Sequence, residues 1–176
     1  DSVLIESQKV EKGKSQFAGH EILGRKLGVV GLGAVGGPLA NAARKLGMDV
    51  YGCDPFISID AAWHLDSQIH RVNKREEIFS GCDIISLHTP LLDDTRKMIN
   101  AETISMMKDG VIIMNFARDL LVDEEAMVDA LAAGRIERAQ SVRDATRPEH
   151  LHPGAGRRVL RLQGRRLSGG EHLHRV

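Results

Sequence analysis

The sequence predicts an α/β domain: a doubly wound parallel sheet with helices on both faces. Three observations carry that expectation. Short, largely apolar runs recur along the chain, and segments with helical spacing lie between them. The runs do not alternate apolar with polar residues, so both faces are expected to be buried, as in parallel strands covered by helices. Closely spaced glycines follow the first run and an aspartate ends the second, and open α/β sheets bind ligands beyond such strand ends.

The elements follow in order. Residues 1–26 are polar, with a short apolar patch and Gly13, Gly19 and Gly24, and read as a partly helical lead-in. Leu27–Val30 is the first strand. Ala34–Leu46 places Val35, Leu39, Ala42, Ala43 and Leu46 at helical spacing, and Gly47 suits the residue just past a helix end. Val50–Cys53 is the second strand, Lys74–Phe79 a short helix, and Asp83–His88 the third strand. A helix over Ala101–Met107 precedes the fourth strand, Val111–Phe116. Asp123 suits the N-cap of a helix over Glu124–Ala133, which Gly134 ends. The domain is thus expected over residues 27–140. Within residues 141–176, the stretch "GAGRRVLRLQGRRLSGGEHLHRV" carries Arg157, Arg158, Arg161, Arg165, Arg166 and Arg175 against Glu171, without sustained alternation or a helical stripe. These residues read as an irregular basic tail, degraded or disordered.

The 176 residues suit one domain of ordinary size, and 24 basic residues balance 24 acidic ones. That balance gives no reason to expect a nucleic-acid or anionic-membrane partner, and the tail lacks aromatics on which bases could stack. Cys53 and Cys82 adjoin apolar runs without metal-like spacing. They read as small buried side chains in a reducing cytoplasm, and no metal site is expected. No apolar run reaches the roughly 20 residues that span a bilayer. The N-terminus has no signal-peptide core and no Met, so the chain is expected to begin partway through a longer protein.

Gly31-Leu32-Gly33-Ala34-Val35-Gly36 is GxGxxG. Gly31 permits the tight turn out of the strand. Gly33, without a Cβ, lets a pyrophosphate approach the backbone. Gly36 lets the helix pack closely on the strand. The helix start then offers N–H groups and a positive dipole end to phosphates. Asp54 lies where an acid would bind a ribose 2′-hydroxyl, and its charge would repel a 2′-phosphate. The expectation is a Rossmann-type domain that binds NAD rather than NADP.

Arg118 follows the fourth strand, where a guanidinium can hold a carboxylate bidentately and polarise the adjacent carbonyl. It could equally be a surface arginine paired with Asp119 or Glu124. His88 reads as a structural histidine at a strand end. Asp93–Thr95 and Asp123–Glu125 read as turn and helix-start chemistry, and Met106, Met107 and Met114 as core filler.

The stretches "LGVVGLGAVGGPLANAARKLGMDVYGCDPFIS", "CDIISLHTPLLDDTRKMIN" and "MKDGVIIMNFARDLLVDEEAMVDAL" together resemble the D-isomer-specific 2-hydroxyacid dehydrogenases over roughly residues 10–136. The resemblance implies hydride transfer between NAD and the C2 hydroxyl of a small 2-hydroxyacid. 3-Phosphoglycerate, on the route to serine, is the first candidate, with glycerate or lactate as alternatives and a non-catalytic NAD-binding module as a third reading. It implies that Ala34 and Val35 lie against the pyrophosphate and that Asp54 takes the adenosine ribose. It also implies that Thr89 and Pro90 line the adenine side. Phe116, Ala117 and Arg118 would lie near the nicotinamide, with Arg118 catalytic. "VRDATRPEHL" is a degraded match to a further landmark. Through it Asp144 would touch the carboxamide and Glu149 would orient a catalytic histidine. The family's "P-H-L-G-A-S-T" segment, which holds that histidine, does not occur in the chain, and His152 and His172 stand in other contexts. The chain is therefore expected to be inactive alone. A remnant of the substrate lobe is expected in residues 1–26, and pairing into homodimers is expected for the intact enzyme. A reading-frame shift in the source DNA is one account of the tail, which sequencing that DNA would test.

Overall fold

Strands this apolar must be covered on both faces. A computed structural model describes residues 19–142 and 159–163. Its elements are β1 (Lys26–Val30), α1 (Gly36–Lys45), β2 (Asp49–Cys53), α2 (Ile59–Trp63), β3 (His70–Arg71), α3 (Arg75–Gly81) and β4 (Ile84–Leu87). They continue with α4 (Ala101–Met106), β5 (Val111–Asn115), α5 (Glu124–Ala132), β6 (Ile136–Val142) and β7 (Val159–Gln163). The sheet order is β3-β2-β1-β4-β5-β6-β7. All neighbours pair in parallel except β6 and β7, which are antiparallel. The chain steps outward from β1 to β3, then crosses back to lay β4 on the other side of β1. The order reverses between β1 and β4, and that switch point opens a crevice at the strands' carboxyl ends.

Each face of the sheet has its own core. On one, Leu27, Val29, Val50 and Ile84 pack with Ala40 and Ala43 of α1. On the other, Val30, Ile85, Leu87 and Ile113 pack with Ile78 and Phe79 of α3, Ile104 of α4 and Met127 of α5. All four residues of β4 are buried, as expected of a central strand with helices on both sides. Cys53 and Cys82 are buried, and burial pushes the Cys82 thiol up to about 11.

The fold class agrees with the sequence reading, and the differences have physical reasons. α1 starts at Gly36, because residues 34 and 35 belong to the turn ahead of it. α2 is a five-residue helix with no buried residue, so it leaves no apolar stripe; Ser58 Oγ caps it by accepting the Ala61 N–H at 3.1 Å. β3 has two residues, both exposed. In β6 the half-buried Glu137 and Arg138 interrupt the apolar run. The stretch after Gln140, where the sequence suggests no strand, supplies the end of β6 and the whole of β7. Met106 is 40% exposed rather than core, because Met107 turns inward at the helix end.

The loops are fastened from below. Arg135 Nη2 donates to the carbonyls of Ile104, Ser105 and Met107 at 3.3, 3.1 and 3.0 Å, closing the end of α4, while Nη1 meets Asp109. Lys97 adopts φ +51°. Its N–H donates to Leu120 O at 2.8 Å and its ammonium meets Asp123 at 2.9 Å, joining the β4–α4 connection to the start of α5. Among the described residues no helix is long and apolar enough to cross a membrane, and no group of three His, Cys, Asp or Glu could hold a metal.

Candidate functional site

The crevice at the switch point gathers the ends of β1, β2, β4 and β5. Gly31 leaves β1 with φ +93°, a conformation that side chains disfavour. Its N–H donates to Cys53 O at 2.8 Å, and a Cβ there would lie 2.8 Å from the His88 carbonyl. A Cβ on Gly36 would lie 1.9 Å from Gly31 O. These two glycines are therefore demanded by backbone packing. Gly33 differs: a Cβ there would meet nothing within 4 Å. With Ala34 and Val35 it forms an exposed lip ahead of α1. A cleft of about 340 Å³ opens beside that lip, between Pro38 and Asn41 of α1 and Ala61 and His64 at α2.

Asp54 is held against the same loop. Its Oδ2 accepts the Leu32 N–H and its Oδ1 the Phe56 N–H, both at 2.9 Å. A carboxylate has about four acceptor positions, so capacity remains for hydroxyls. At the end of β4, His88 Nε2 lies 2.8 Å from Ser86 Oγ, and burial lowers its pKa. Thr89 follows; its Oγ1 is buried and has no partner among the described residues. Pro90 is exposed, and its carbonyl accepts from Thr95 Oγ1 at 2.8 Å.

At the end of β5, Phe116 is 46% exposed, Ala117 half-buried and Arg118 exposed. Arg118 Nη1 donates to Ala117 O at 2.8 Å. Asp119, a possible partner for Arg118 in the sequence, uses its Oδ1 to accept the Leu120 N–H at 2.7 Å at the start of a 3-10 turn. The structure thus brings Gly31, Gly33, Ala34, Val35, Gly36, Asp54, Thr89, Pro90, Phe116, Ala117 and Arg118 to one rim. Asp144 and Glu149 lie outside the described residues. Sequence reasoning gave no role to Asn115, a buried polar residue that ends β5; the signal was an asparagine closing the otherwise apolar "VIIMN".

The residues fit a dinucleotide. Bare backbone at Gly33 leaves room for a pyrophosphate, Asp54 stands ready for a ribose, and Thr89 Oγ1 carries an unused hydrogen-bonding group. Comparison with known proteins gives the class. The profile of the D-isomer specific 2-hydroxyacid dehydrogenase NAD binding domain matches residues 3–162. The chain belongs to this family and is an NAD-binding domain of it. It is 39% identical over 128 residues to a D-3-phosphoglycerate dehydrogenase of Bacillus subtilis, covering 72% of this chain and 23% of that protein. A hydroxypyruvate reductase of Thermotoga maritima is 39% identical over 123 residues, 70% of this chain and 38% of that protein. Among solved structures, a D-lactate dehydrogenase with NAD+ from Lactobacillus jensenii superposes with a TM-score of 0.65 at 29% identity, over 81% of this chain and 43% of that one. The chain thus spans less than half the length of these relatives.

Proposed function

We propose that this chain is the cofactor-binding part of an oxidoreductase that moves hydride between NAD and C2 of a D-2-hydroxyacid, with 3-phosphoglycerate as the first candidate substrate. The observation that carries the reading is the open Gly33 lip beside Asp54, whose carboxylate is anchored to the same loop through the Leu32 N–H. The relatives named D-3-phosphoglycerate dehydrogenase support the substrate. The hydroxypyruvate reductase and D-lactate dehydrogenase support the alternatives, glycerate or lactate.

Bound NAD supplies the hydride-accepting ring. The chain's own residues bind and orient. Gly33, Ala34 and Val35 lie under the pyrophosphate, Asp54 takes the ribose hydroxyls, and Thr89 and Pro90 flank the adenine side. Phe116 and Ala117 border the nicotinamide. Arg118 holds the substrate carboxylate and polarises its C2 oxygen. Asp144 and Glu149 complete the reading, at the carboxamide and behind a histidine respectively. That histidine has no counterpart in a matching segment of this sequence, and loss of a general acid/base costs about 10²–10⁴-fold. We therefore expect negligible turnover by this chain, and homodimer formation by the intact enzyme.

Calorimetric titration with NAD and NADP, with Asp54→Ala as control, tests the cofactor site. The expected result is NAD binding that Asp54→Ala weakens strongly, together with a narrower gap between NAD and NADP. A folded chain that binds neither would show that the loop survives as architecture only, and NAD binding that Asp54→Ala leaves unchanged would refute the role given to Asp54. NAD binding with no turnover, even after a substrate lobe is supplied, would favour a non-catalytic module.

A further inference from the structure

Three polar residues are buried among the described residues: Ser86, Thr95 and Asn115. All three serve the rim of the crevice. Ser86 meets His88, Thr95 holds Pro90, and Asn115 holds the turn that carries Arg118. Asn115 is 1% exposed at the last position of β5. Its Nδ2 donates to Arg118 O at 2.6 Å, and its Oδ1 accepts the Ala117 N–H at 3.2 Å. One planar amide therefore holds the main chain at two consecutive residues, Ala117 and Arg118. Behind the turn, Lys97 N–H and Ile99 N–H donate to Leu120 O and Leu121 O at 2.8 and 3.1 Å. The Arg118 carbonyl is thus drawn into the protein while its side chain emerges exposed.

We propose that Asn115 is a positioning residue that fixes the Phe116–Arg118 turn and so aims Arg118 at the substrate carboxylate. This rests on the reading that Arg118 meets that carboxylate. A side chain bonded only at its own residue could not do this. The amide matters because it is both donor and acceptor, and a buried side chain lacking either half releases Ala117 or Arg118.

The test needs no bound ligand. Amide hydrogen exchange and ¹⁵N relaxation are measured on the labelled 176-residue chain, for the wild type and for Asn115→Leu and Asn115→Asp. In Asn115→Leu, exchange at Ala117 should rise by at least about tenfold and Arg118 should become mobile, while Ile85 and Ile113 keep their protection. In Asn115→Asp the carboxyl still accepts from Ala117 but donates to Arg118 only while protonated. Arg118 should therefore lose order as the pH rises while Ile85 and Ile113 keep their protection, a local dependence that a role in overall stability would not produce. If Asn115→Leu does not fold, Asn115→Asp decides. An Arg118 as ordered in the folded variants as in the wild type, at every pH, would overturn the proposal. The underlying reading is separable: with NADH present, oxalate serves as the carboxylate probe. If Arg118→Ala leaves the response to oxalate unchanged, the substrate role of Arg118 fails even where the turn behaves as expected.

Discussion

Replacing the glycines of the loop one at a time separates cofactor binding from architecture. Alanine at Gly36 would put a Cβ 1.9 Å from Gly31 O, about 1.5 Å inside ordinary van der Waals contact, and the obstacle is backbone. Nothing nearby is the movable end of a long side chain, so β1 and α1 must part. Overpacking of this kind costs about 1–3 kcal/mol, and this site belongs at the upper end. For a domain of this size each kcal/mol lowers Tm by about 3–6 °C, so Gly36→Ala should melt about 6–18 °C below the wild type. Alanine at Gly33 meets nothing within 4 Å. Its stability should stay within about 1 kcal/mol of the wild type, with a small gain from reduced freedom of the unfolded chain. On the proposed reading the same methyl stands where the pyrophosphate approaches, so NAD affinity should fall at least about tenfold, or 1.4 kcal/mol. Thermal melting and calorimetric NAD titration of both variants give the two readings. A Gly33→Ala chain that is folded and binds NAD like the wild type would refute the role given to the lip. A Gly36→Ala chain that melts with the wild type would refute the packing argument.

Further outcomes follow from charge and burial. Burial pushes the Asp83 carboxyl up, but the Lys108 ammonium at 2.8 Å and the Lys26 N–H at 2.9 Å outweigh it, and its pKa lies below 3.8. The unfolded chain therefore takes up that proton first. The contribution of Asp83 to stability is whole above that ordinary value and is lost as the pH falls through the lowered one. Urea titrations of Asp83→Asn should show a shallower loss of stability below about pH 4 than the wild type, and equal slopes would exclude this role. Cys82, pushed up to about 11, and Cys53, also raised by burial, should resist alkylation by iodoacetamide in the native chain at about pH 8 and react once unfolded in guanidinium. Rapid native labelling, read by mass spectrometry, would contradict their burial.

What the sequence determined by itself was local. The apolar runs over β1, β2, β4 and β5 announce buried parallel strands, because burial on both faces favours apolar residues at most positions. The glycine spacing announces the turn, because that requirement lies within a few residues of the chain. Tertiary structure decided the rest. β3 and β6 form because a neighbouring strand supplies their hydrogen bonds, and two exposed residues or a run broken by Glu137 and Arg138 carry little signal of their own. Which glycine is needed for packing and which leaves room for a ligand depends on His88 and Gly31 O, contributed by distant or folded-back chain. The function given to Asn115 depends on a turn that brings residue 118 back beneath it. A hydrogen-bond partner is fixed by where the backbone passes in space, which the order of residues along the chain does not state.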